Sequence, residues 1–89
     1  MAQQIDSPER ATRLARTIAS DISLYNEEKV LKGIAEDSFF EELHDELEEG
    51  RELYRGRVSP ALYERTNFFE RAIVDVIIRY KAHVPSKLW

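Results

Sequence analysis

Glu41 and His44 stand three residues apart. This Glu-x-x-His spacing sets a carboxylate and an imidazole on one helix face in di-iron bundles. Such a centre needs a second copy of the motif and two more inward glutamates. The other histidine, His83, has Tyr80 three residues before it, so His44 reads as a surface residue of a Glu-rich helix and no metal is expected. Ser7, Ser38 and Ser59 could each be a nucleophile, but each stands where a helix begins, and no histidine is placed by sequence to activate one. Gly33, Gly50 and Gly56 are isolated, so there is no glycine-rich phosphate loop. The sequence therefore predicts no catalytic residue, no cofactor and no enzyme.

Arg10, Arg13 and Arg16 offer binding chemistry instead. A guanidinium is a planar fork for carboxylates or phosphates, and three on one helix make an electrostatically steered surface. They have a second reading, as solvated charges or as partners of the chain's own acids. Those acids are concentrated elsewhere: Glu41, Glu42, Asp45, Glu46, Glu48, Glu49 and Glu52 stand against Arg51 alone. That segment is either a solvated face or a docking surface for a basic partner. Trp89, with Leu88, offers an interface anchor for a partner or for a second copy in a homodimer. A DNA-binding regulator using the basic face of helix 1 is the rival reading, and its affinity would fall steeply with salt. The net charge of −4 argues against general nucleic-acid binding.

These residues need a scaffold, and 89 residues suffice for one core. An apolar fraction of 43% beside a charged fraction of 34% suits helices with wet outer faces. The chain has no cysteine, which removes disulfides and thiolate metal sites. Met1–Ser7 lacks a signal-peptide pattern, and the apolar run Ala72–Ile78 is interrupted by Asp75 and too short for a bilayer. A cytoplasmic protein with no membrane contact is expected. The division is a flexible terminus over 1–6, a helical domain over 7–84 and a tail over 85–89.

Ser7-Pro8-Glu9 starts a helix that Ala11, Leu14, Ala15, Ile18, Ile22 and Tyr25 continue at three- and four-residue spacing. Asn26 caps a short second helix carrying Val30, Leu31 and Ile34, with Gly33 near its end. Ser38 and Glu41 match a capping box opening a third helix with Phe40, Leu43, Leu47, Gly50 and Tyr54 on one stripe. Gly50, on that stripe, predicts close approach of another helix. Ser59-Pro60 repeats the start signal, and Asn67 with Glu70 offers a further cap. The sequence leaves open whether 60–83 is one helix or two. Phe69, Ala72, Ile73, Val76, Ile77 and Tyr80 form the last core stripe, which Pro85 stops. The fold class is all-α, a compact bundle of about four helices, open to dimerisation.

The stretch Arg13-Leu14-Ala15-Arg16-Thr17-Ile18-Ala19-Ser20-Asp21-Ile22-Ser23-Leu24-Tyr25-Asn26, followed by Lys29-Val30 and Gly33-Ile34, resembles a small helical region of deltaproteobacterial signalling proteins. The match runs more loosely through Phe39-Phe40 and the Glu-rich helix to Tyr54, about half of the chain. In that group the region stands alone or beside receiver and zinc-ribbon modules, and RomX-like polarity proteins have a similar size and character. The resemblance implies an adaptor in bacterial signalling or cell polarity. Its expected role is as a component of a nucleotide-exchange complex acting on a Ras-like small GTPase with a response regulator. Asp21 and Asn26 are the polar positions of the motif and join Arg10, Arg13, Arg16 and Trp89 as candidate protein-binding residues.

Overall fold

Ser7 has the extended backbone of a helix cap, and its hydroxyl accepts the Arg10 amide at 3.4 Å. Pro8 is preorganised for the first turn, and Glu9 faces the positive helix end. The resulting α1 spans Pro8–Tyr25 in a computed structural model that describes residues 4–82. It is followed by α2 (Glu27–Ala35), α3 (Phe39–Glu42), α4 (His44–Arg57), α5 (Pro60–Arg65) and α6 (Phe68–Lys81). Among the described residues the fold is an all-α globule, 82% helical, with four helices of seven residues or more.

Asn26 does not cap α2 with its side chain. Its amide group donates back to the Ile22 carbonyl at 2.9 Å, so it closes α1 instead. The end of α2 is set at Asp37. Asp37 has φ 57°, the left-handed conformation, just past the end of α2. The Ser38 amide donates to Gly33 O at 2.7 Å and the Asp37 amide to Ile34 O at 3.4 Å, which is a Schellman closure. Glycine fits this position without the steric cost that aspartate carries. Asp37→Gly is therefore expected to stabilise the fold by about 0.5–1 kcal/mol in urea melts.

That closure also dismantles the expected capping box. A box requires the Ser38 amide to donate to the Glu41 carboxylate, and Gly33 O already holds it. Ser38 makes no side-chain cap, and its buried hydroxyl has no partner. The long third helix is in fact divided at fully buried Leu43 (φ −109°, ψ 19°) into α3 and α4. The division lets α3 pack on α2 through Phe39 against Gly33, while α4 packs on α1.

Gly50 meets its expectation: a Cβ there would lie 2.8 Å from Ile22 Cδ1 and 3.3 Å from Phe69 Cζ. Small Ala11, Ala15 and Ala19 on α1 and Ala72 on α6 are buried and form part of one core. Phe69 and Tyr54 are buried at its centre with ring centroids 5.7 Å apart. Burial pushes the Tyr54 phenol above its ordinary range, so it stays neutral across physiological pH.

Ser59 caps α5 by accepting the Leu62 amide, and the chain breaks at Thr66-Asn67, so 60–81 forms two helices. Asn67 makes no side-chain cap bond. Within the stretch read as a flexible terminus, Ile5 bridges Val58 in parallel: its amide donates to Arg57 O at 2.8 Å, and its carbonyl accepts from Ser59 at 2.9 Å. Pro85, Leu88 and Trp89 lie outside the described residues, as does His83.

Candidate functional site

Helices α1 and α6 pack along their length, and their outer edges leave an open cleft. At one end a space of about 510 Å³ is lined by Pro8, Glu9, Thr12, Arg13, Arg16 and Phe68. Arg16 continues the cleft past Arg71 and Asp75 to Ser20 and Arg79. Arg13, Arg16, Arg71 and Arg79 are exposed, and none has an ion-pair partner among the described residues. Pairing of the first-helix arginines with acids of the Glu-rich segment is not seen among the described residues, and their exposure is that of solvated charges. Arg10 is also exposed but does not line this cleft. At roughly 100° per residue it points about 120° away from Arg16.

Several acids of α3 and α4 are paired with other cations. Lys29 binds Glu46 at 2.7 Å and Lys32 meets Glu42 at 3.4 Å, tying α2 to α3 and α4. Arg51 bridges Glu48 and Glu70 at 3.3 and 3.2 Å, with its guanidinium 5.8 Å from the centre of the Phe69 ring. The hydrogen bond from Lys29 holds the Glu46 carboxyl below its ordinary range, and the same bond raises Lys29. The Glu46 contribution is thus present above the usual carboxylate pKa and lost as pH falls through the lowered one. The Lys29 contribution is present below the usual lysine pKa and lost as pH rises through the raised one. In an NMR titration, Lys29→Met should move the Glu46 midpoint upward towards that of exposed glutamates.

A second groove runs between α1 and α4, about 330 Å³ in volume. Ile18, Ile22, Gly50 and Leu53 line it with Tyr25 and Asn26, beside Asp21, Glu46 and Glu49. The predicted binding residues thus divide. Arg13 and Arg16 share the α1/α6 cleft, Asp21 and Asn26 share the α1/α4 groove, Arg10 stands apart, and Trp89 lies outside the described residues. Glu41 and His44 fall on different helices, and His44 lies 3.4 Å from Asp45. Among the described residues no three His, Cys, Asp or Glu side chains gather as a metal-binding group. No helix among them is long and apolar enough to cross a membrane.

Sequence reasoning missed the α6 half of the cleft. Phe68, Arg71, Asp75 and Arg79 recur at three- and four-residue spacing, a second face beside the core stripe that was there to be read.

The fold and these two surfaces define a small all-α protein with unneutralised charge on an open face. No protein-family model, curated protein or solved structure matches the chain.

Proposed function

We propose that the protein is a non-enzymatic interaction module whose docking face is the α1/α6 cleft. The observation that carries this reading is the set of four exposed arginines along the cleft, none ion-paired among the described residues. This chain has acids in excess, 17 against 13 lysines and arginines. Here Glu46 on α4 and Glu42 on α3 pair with the α2 lysines, and Glu48 and Glu52 with Arg51 and Arg55, while the four cleft arginines, beside Glu9 and Asp75, make no ion pair among the described residues. Phe68 adds an apolar contact within the cleft. A carboxylate-rich protein surface fits that combination, because arginine forks bind carboxylates in two-point fashion and steer encounter from a distance.

The resemblance of Arg13–Asn26 to the deltaproteobacterial signalling region supplies the biological frame. In that frame the module is a cytoplasmic adaptor in signalling or cell polarity, and its partners are a Ras-like GTPase, a response regulator or both. Such an adaptor shifts a GTPase between states only by binding one state better than the other. The test is capture from lysate of the native organism, using wild-type bait beside Arg13/Arg16/Arg71→Glu and Arg10→Glu baits. A GTPase or response regulator held by wild type and by Arg10→Glu, but lost with the triple variant, supports the reading. Nucleic acid retained in place of protein, and released by salt, would favour the DNA-binding alternative.

A further inference from the structure

We infer that the α1/α4 groove is a second docking site, and that its occupant is a basic amphipathic helix of a partner protein. The inference rests on the reading of the protein as an interaction module but uses a different surface.

Two neighbouring helices leave a groove into which a further helix packs, as in helical bundles. Here Ile18, Ile22 and Leu53 give the groove apolar contacts, and Gly50 lies in its lining where α4 packs tightly against Ile18 and Ile22. Tyr25 is 85% exposed and Leu53 is 48% exposed, so apolar surface is left open at the groove. The groove's charge identifies what would cover it. Asp21, Glu46 and Glu49 line it with no basic residue among its lining side chains. Asp21 and Glu49 have no ion-pair partner among the described residues. Apolar side chains at i and i+4 would enter between α1 and α4, while flanking lysines or arginines would meet the Asp21 and Glu49 carboxylates, Glu46 being held by Lys29. An acidic helix would be repelled here, and a neutral one would leave those charges unanswered. The two surfaces have opposite charge, so one molecule can hold an acidic partner in the cleft and a basic helix in the groove. That is the geometry of a bridge.

The probe is a fluorescein-labelled 18-residue amphipathic peptide of leucine and lysine, with a leucine–glutamate peptide of the same pattern as control. Fluorescence anisotropy measures binding to wild type, Leu53→Asp, Asp21/Glu49→Lys and Arg13/Arg16→Glu, with circular dichroism confirming that each is folded. Leu53→Asp separates seating from bulk attraction, because it adds negative charge while spoiling the apolar contact. The inference predicts that the lysine peptide binds and that the glutamate peptide does not bind in the groove. It predicts a tenfold or greater loss for Leu53→Asp and for Asp21/Glu49→Lys. Arg13/Arg16→Glu should leave lysine-peptide binding within twofold, whatever becomes of capture through the cleft. Undiminished binding to Leu53→Asp would overturn the inference, as would absence of lysine-peptide binding. A wild-type dimer in light scattering that Leu53→Asp dissolves would also overturn it, by giving the groove to a second copy.

Discussion

Phe69→Ala is expected to lose about 3–5 kcal/mol of stability, the cost of removing a large aromatic side chain from a packed interior. Phe69 is wholly buried, and its ring lies 5.7 Å from that of Tyr54 and under the Arg51 guanidinium at 5.8 Å. Its ring tip also lies 3.3 Å from where a Cβ on Gly50 would stand, beside Ile18 and Ile22 of α1. Removing it therefore opens space where α1, α4 and α6 meet. A domain of this size has a total stability on the order of 4–13 kcal/mol, so the loss is a large fraction of it. The melting temperature should fall by roughly 15–30 °C, read by circular dichroism. Phe69→Leu keeps most of the volume and should cost about 1–2 kcal/mol. A loss below about 1 kcal/mol for Phe69→Ala would contradict this account of the core.

The second large effect is at Gly33. Alanine is the better helix former by about 1 kcal/mol, so propensity alone predicts a gain from Gly33→Ala. Packing reverses the sign. A Cβ there would lie 2.7 Å from Phe39 Cα and 3.1 Å from Phe39 N. These are backbone atoms of α3, so relief requires moving that helix rather than turning a side chain. Overpacking of this kind costs about 1–3 kcal/mol, and a backbone obstacle belongs at or beyond the upper end. The expected net loss is about 2 kcal/mol in urea denaturation. Gly56 is the internal control, since a Cβ there meets nothing within 4 Å. Gly56→Ala should stabilise by about 0.5–1 kcal/mol. Equal effects at the two glycines would sink the packing argument.

The helix starts at Ser7-Pro8 and Ser59-Pro60 were legible because each signal is local: a hydroxyl, a fixed φ and no competing bond. The core stripe of α1 was legible for the same reason, as one periodicity along one element. What failed depended on competition between neighbours. Ser38 carries a sound capping signature, but its amide is claimed by the carbonyl of Gly33, five residues back. Asn26 can cap in either direction, and only the packed chain decides that it turns back to Ile22. The division at Leu43 follows from α3 meeting α2 while α4 meets α1, which no helical period within 38–54 encodes.

The site divides in the same way. The exposure of Arg13 and Arg16 could be read from the periodicity of α1. Their separation from Arg10 required the docking of α6, which brings Arg71 and Arg79 to the same cleft. The fate of the acids was a matter of partners too. Lys29 and Lys32 on α2 answer Glu46 and Glu42, and the arginines of α1 are left over.

The measurement that tests the docking face most directly is the affinity of the protein captured by the wild-type bait, once purified, for the wild-type protein and two variants. Titration calorimetry would compare wild type with Arg13/Arg16/Arg71→Glu and with Arg10→Glu, each checked for its fold by circular dichroism. The cleft predicts at least a 100-fold weakening for the triple variant, about 2.7 kcal/mol or more, and less than a threefold change for Arg10→Glu. Equal weakening by Arg10→Glu, or none by the triple variant, would contradict the assignment of the α1/α6 cleft as the docking face.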